Sequence, residues 1–191
     1  GHVTGVQTCA LPIYFELCRQ RLNPGGFVTQ WVPLYESDRG VVQSEIATFF
    51  SVFPEGTIWG NDDEGYGYDT VMLGQANPLV IDLEALQERL KRPDHARIAE
   101  SLNPLALGSP LQLLGTYAGR YGDLRGWLAR AEINRDRNLR LQYLAGFGVN
   151  LHAGNDIYRD ILQYRVFPED IFYGSSASLE RLRRTIEDVR E

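Results

Sequence analysis

Few side chains in these 191 residues are of a type and spacing that could do chemistry. Gln30, Trp31 and Tyr35 stand at and just beyond the carboxyl end of the apolar run Phe27-Val28-Thr29-Gln30-Trp31-Val32. In parallel α/β sheets ligands gather beyond that end of the strands. An amide and two aromatic rings there either wall a pocket or serve as turn-bonding and packing groups. Asp62, Asp63 and Glu64 form an acidic cluster that either draws a cationic ligand or is a solvated loop. Metal and thiol chemistry find no support. Cys9 and Cys18 make no CxxC, and His2, His95 and His152 have no metal-ligand spacing.

The elements that position these residues follow from local pattern. Phe15, Cys18 and Leu22 recur at i, i+3 and i+7, which predicts a helix over 14–22 with one buried stripe and Cys18 as a buried thiol. Arg19 and Arg21 suit the negative end of its dipole, and Pro24 ends it. Gly25 and Gly26 supply the reversal into the strand 27–32. That strand is so rich in β-branched and aromatic residues that it reads as covered on both faces within a parallel sheet, with Trp31 and Trp59 in the core.

Ser37 or Asp38 is placed to cap a helix whose Val42, Ile46, Phe49, Phe50 and Phe53 share one face, and Pro54 closes it. Strands are then predicted over 57–59 and 68–74, paired antiparallel across the loop 60–67. Beyond Pro78 the pattern turns helical. Asp82 caps 83–90, Pro93 precedes a short helix over 94–102, and Ser109-Pro110-Leu111-Gln112 has the capping-box form opening a helix to about 118. Further helices are expected over 123–131, 156–163 and 178–190, around an irregular stretch 133–145.

Composition sets the outer bounds. With 43% hydrophobic and 23% charged residues the chain is of ordinary globular type. A net charge of -6 argues against nucleic acid, which wants a clustered basic face, and is compatible with a cationic ligand or with solubility alone. No run approaches the roughly 18 apolar residues of a membrane span.

The first residues are a separate matter. Val3-Thr4-Gly5-Val6-Gln7-Thr8-Cys9-Ala10-Leu11-Pro12-Ile13 resembles the conceptual translation of a common sequencing-adapter oligonucleotide. Residues 1–13 are therefore read as non-native, with the genuine chain starting inside a helix at Tyr14. The organisation expected is a truncated α/β domain over 14–77, a helical extension over 78–150 and a helical tail over 151–191.

Taken in order, Tyr14-Phe15-Glu16-Leu17, Leu22 to Pro33, Leu34-Tyr35-Glu36, Phe53-Pro54, Trp59 and Asp69 to Gln75 resemble the C-terminal half of spermidine synthase-like proteins, the polyamine aminopropyltransferase family. The likeness is greatest to bacterial forms fused to a membrane-embedded, transporter-like part. A weaker match runs from Asn134 to Tyr143, where Arg137, Leu139 and Gln142 depart from the family pattern.

The resemblance implies an α/β fold, the C-terminal half of a class I methyltransferase-like (Rossmann-like) sheet, with an antiparallel edge hairpin and a helical tail. It implies transfer of an aminopropyl group from decarboxylated S-adenosylmethionine to an amine such as putrescine. Two alternatives stand beside it: a non-catalytic ligand-sensing domain of a membrane transporter-like protein, and an S-adenosylmethionine-dependent methyltransferase. It places Gln30, Tyr35 and Tyr66 on the amine side, Tyr68 fitting nearly as well as Tyr66. The family's donor-binding loop, ribose-binding acid and catalytic aspartate match nothing here, so no catalytic, cofactor or metal residue is assigned and the fragment is expected to be inactive alone. The donor, S-adenosylmethionine or its decarboxylated form, belongs to the full-length protein. A cytoplasmic or cytoplasm-facing location, a membrane domain upstream and a homodimer are further implications. Without the upstream strands, one side of the strand 27–32 is expected to lack a neighbour and to expose apolar surface.

Overall fold

The computed structural model describes residues 11–35, 37–63, 66–135 and 154–188, with the side chains of 61–63, 66–68 and 188 outside the description. The chain divides into two compact units, one of residues 1–77 and 118–165, the other of 78–117 and 166–191.

The first unit opens with α1 (Leu11–Arg21), which starts three residues before the predicted helix and so takes in the last part of the adapter-like segment. Phe15 is buried, while Cys18 is only half-buried, a correction to the fully buried thiol expected. The Pro24-Gly25 turn follows, closed by Gly26 N donating to Asn23 O at 2.8 Å, with Gly25 at φ +74°. This is the left-handed region that favours glycine. Strand β1 (Phe27–Pro33) then leads to α2 (Arg39–Phe50), whose N-cap is Asp38. The Asp38 carboxylate accepts from Gly40 N at 2.6 Å and Val41 N at 3.0 Å, satisfying two donors the first turn leaves open.

Strands β2 (Thr57–Asp63) and β3 (Tyr66–Gln75) form the antiparallel hairpin expected, but both run on into the stretch 60–67 predicted as its loop. The strand β3 then returns between β2 and β1, antiparallel to both, so β1 and β2 run the same way with α2 as their crossover. A fourth strand, β5 (Tyr117–Arg120), lies beyond β2, giving the order β1-β3-β2-β5. That strand replaces the end of a helix predicted to reach 118. Helices α6 (Tyr121–Leu128) and α7 (Gly154–Leu162) complete the described part of this unit.

Two expectations for β1 are overturned. Its only described partner is antiparallel, so it does not lie in a parallel sheet, and its two faces differ. Val32 is fully buried, but Phe27 is 65% and Trp31 49% exposed, so Trp31 is not a core residue. Period-two alternation decides this: 28, 30 and 32 face the covered side, 27, 29 and 31 the open side. A run with no polar interruption hides the difference. As expected, β1 stands at the sheet edge with apolar surface open to solvent.

On the covered side the core gathers Phe15, Leu34, Ile46, Phe49, Ile58 and Met72, all at 0% exposure. Two glycines permit close approach. A Cβ at Gly74 would lie 2.5 Å from Phe53 Cγ, and one at Gly60 would lie 1.9 Å from the Tyr158 hydroxyl oxygen. Aromatic side chains therefore lie directly on the sheet backbone.

The second unit contains β4 (Ile81–Asp82), α3 (Leu83–Lys91), α4 (Ala96–Leu102), α5 (Pro110–Gly115), β6 (Phe172–Tyr173) and α8 (Ser176–Asp188). The strands β4 and β6 pair in parallel, with Ile81 opposite Phe172. Asp82 caps α3 by accepting from Ala85 N at 2.8 Å. Ser109 and Gln112 form the predicted capping box on α5 with Pro110 in the first turn. Short 3₁₀ turns at Pro93–His95 and Asn103–Leu105 bracket α4. Among the described residues no helix is long and apolar enough to cross a membrane.

Candidate functional site

Gln30 lies on β1 opposite Met72, and its side chain takes the covered face with Val28 and Val32. Its Nε2 donates to Trp31 O at 2.9 Å. Its amide also lies close enough to the carboxyl of Glu45, on α2, to favour that carboxyl's charged form. This pairing is absent from the sequence-level site and is its main addition.

Glu45 sits in an unusual place for a carboxyl. Along α2 it lies three residues after Val42 and four before Phe49, both fully buried, so it borders the apolar stripe. Some of its surface stays open to solvent, yet its carboxyl is enclosed enough that burial pushes its pKa from 4.5 up to about 7, the Gln30 amide pulling the other way. A carboxylate interrupting that i, i+3, i+7 pattern is the one signal that could have drawn attention to it.

The helix bearing Glu45 is held firmly. Gln43 Nε2 donates to Trp127 O and Ser44 Oγ to Glu132 O, both at 2.6 Å. Thr48 Oγ1 donates to Ser44 O at 2.6 Å and accepts from Asn134 N at 2.9 Å. Asn134, in the weaker family-like match, thus has a structural role, while 136–143 of that segment fall outside the described residues. Arg39 at the start of α2 pairs with Asp160.

Tyr35 does not join Gln30. It is 45% exposed, and its ring centroid lies 6.3 Å from that of Trp31, tilted by 50°, so the two rings belong with the open side of the sheet. Tyr66 begins β3 opposite Asp63, and its side chain falls outside the description, as do those of Tyr68, Asp62 and Asp63, while Glu64 lies outside the described residues altogether. The sequence-level trio is therefore not one constellation: Gln30 meets Glu45 on the covered face, and Tyr35 meets Trp31 away from it.

Other chemistry-bearing groups are accounted for locally. The Tyr14 phenol is held above its usual range chiefly by a hydrogen bond with Cys18. The His95 ring lies 3.2 Å from Asp94, whose carboxylate is held down chiefly by Arg92. Among the described residues, no group of three or more His, Cys, Asp or Glu could hold a metal ion. A cleft of about 460 Å³ beside α1 is lined by Arg19, Gln20, Phe53, Glu55 and Gln75. In the second unit a cleft of about 350 Å³ is lined by Glu84, Gln87, Glu88, Ser109, Ser178 and Arg181. Its Glu84 is already engaged, accepting from Ser178 Oγ at 2.8 Å and Ser175 N at 3.2 Å. Neither cleft is lined by Gln30, Glu45 or Tyr35.

No known protein family, curated protein or solved structure matches this chain.

Proposed function

We propose that the first unit is the amine-binding side of a spermidine synthase-like transferase, which moves an aminopropyl group from decarboxylated S-adenosylmethionine to an amine such as putrescine. The observation that carries this reading is the contact of Gln30 with Glu45, an amide beside a carboxyl raised to about 7. Such a pair has the two properties the reaction asks of its amine side. An ionised carboxylate holds an ammonium group, and a carboxylate titrating near neutrality accepts the proton the amine must lose. In the transfer, the amine nitrogen forms a bond to the carbon next to the sulfonium, the carbon–sulfur bond breaks with its electrons going to sulfur, and the proton passes to Glu45. Orientation supplies most of the remaining advantage, since that carbon is already activated.

The strand order supports the same reading. A last strand inserted antiparallel between two strands of like direction is the arrangement the methyltransferase-like resemblance implies for this part of the sheet. The donor-side motifs of that family match no residue in the sequence, so the donor is assigned no partner in this chain.

Calorimetric titration of the chain with putrescine and, separately, with S-adenosylmethionine tests the proposal. Putrescine should bind, more weakly as the pH falls below about 7 and Glu45 takes up its proton, and Glu45→Gln or Gln30→Ala should weaken it. Tight stoichiometric binding of S-adenosylmethionine, or putrescine binding indifferent to Glu45→Gln, would overturn it.

A further inference from the structure

The outer edge of β1 carries a row of backbone groups that no other strand among the described residues takes up. On its inner side β1 is bonded to β3 in a register that runs unbroken from Phe27 opposite Gln75 to Pro33 opposite Asp69. Just before the strand, Gly26 O accepts from Ala76 N at 3.1 Å, so the polar groups of Gly26 face β3. Alternation along an antiparallel pair then turns those of 28, 30 and 32 toward β3 and those of Phe27, Thr29 and Trp31 outward. Gln30 Nε2 donates to one of these outward groups, Trp31 O, at 2.9 Å, and a carbonyl has a second lone pair to offer. Native edge strands are commonly blunted by a charge, a bulge or an internal proline. β1 has no charge and no bulge, and its proline is its last residue.

The side chains of the same three residues read alike in both directions. Phe27, Thr29 and Trp31 are all exposed on the open face, an aromatic, a small polar residue and an aromatic at i, i+2 and i+4. A twofold axis through Thr29 sets Thr29 opposite Thr29 of a second copy and Phe27 opposite its Trp31, once on each side of the axis. Thr–Thr and aromatic pairs are among the cross-strand combinations that stabilise sheets. In that register every outward N–H and carbonyl of 27, 29 and 31 is paired. An axis through Gln30 would instead set Phe27 opposite Pro33, which has no N–H, and lose a bond at each end. An uncharged edge also spares a chain of net charge -6 any like-charge contact at the seam.

We infer that two copies of this chain join edge to edge through β1, antiparallel about a twofold at Thr29, into one continuous sheet with Phe27 and Trp31 of both copies on its open face. The aromatic surface within reach is modest. Phe27 is 65% and Trp31 49% exposed, and side chains of this kind bury about 150–250 Å² each, which gives at most roughly 250 Å² per copy against about 800 Å² in a standard interface. The dimer is therefore weak and forms as the concentration rises. It stands apart from the transferase reading, since it uses neither the Gln30 nor the Glu45 side chain.

Sedimentation equilibrium at rising concentration should show monomer and dimer and nothing larger, because a twofold closes at two copies. Amide exchange at Phe27, Thr29 and Trp31 should slow as the dimer forms. Thr29→Lys, which sets two ammonium groups face to face, should weaken the dimer about fivefold or more. Trp31→Thr, which removes both aromatic pairs, should weaken it about tenfold. Val80→Lys puts the same charge on an exposed residue away from the strand and should not weaken it. Should Thr29→Lys fail to fold, Trp31→Thr decides by itself. A monomer at every concentration, assemblies larger than two, equal weakening by Val80→Lys, or a dimer unmoved by the variant that folds would overturn the inference.

Discussion

Replacing Glu45 by glutamine should make the first unit more stable at neutral and alkaline pH and leave it unchanged in acid. In the folded protein burial pushes this carboxyl from 4.5 up to about 7. Below about pH 4.5 it is protonated both folded and unfolded and costs nothing. As the pH rises from 4.5 to 7 the unfolded chain ionises first, so wild-type stability falls through that window and stays lowered above it. A wholly shielded carboxyl with that displacement would cost about 3 kcal/mol. Partial contact with water reduces the figure to roughly 1–2 kcal/mol.

Glutamine keeps the shape and a polar amide beside Gln30 but carries no charge. Urea denaturation followed by tryptophan fluorescence is the natural assay, because Trp31, Trp59 and Trp127 all belong to the unit that contains Glu45. At pH 8 the variant should exceed wild type by roughly 1–2 kcal/mol, equivalent to about 2–4 °C in Tm per kcal/mol for a chain of this size. Near pH 4.5 the two should coincide. A difference that does not change between pH 4.5 and 8 would refute the reasoning, since it would mean that Glu45 ionises alike folded and unfolded.

Two other outcomes follow from packing and from the sheet edge. Gly60→Ala should cost about 2–4 kcal/mol, because its methyl would overlap the Tyr158 hydroxyl, and combination with Tyr158→Leu should recover at least about 1 kcal/mol relative to the sum of the single changes in urea melts. Thr29→Lys should reduce light scattering on heating while changing stability by less than about 0.5 kcal/mol, because it puts a charge into the exposed, uncharged edge strand β1; unchanged scattering would show that this edge is not where copies adhere.

Much of the local structure was legible in the residues. Asp38, Asp82 and Ser109 cap helices as read, because a cap satisfies backbone donors two or three residues away and carries its signature in the sequence. The Pro24-Gly25 turn and the β2–β3 hairpin have the same locality. The lower legibility of β4, β5 and β6 has a matching cause. Two strands are two residues long and the third is four, too short for alternation to register, and Ile81 meets Phe172 only through distant pairing.

The site divides along the same line. Sequence alone put Gln30 on a strand and Tyr35 just past its end, since both follow from the turn at Pro24 and the run to Pro33. Only the tertiary structure decided that Gln30 turns toward α2 and meets Glu45 and that Tyr35 belongs with Trp31. Facing is set by which side of a strand another element covers, and that depends on the insertion of β3 between β1 and β2. The charge state of Glu45 is further still from sequence, because its carboxyl is raised by burial that the folded chain alone creates.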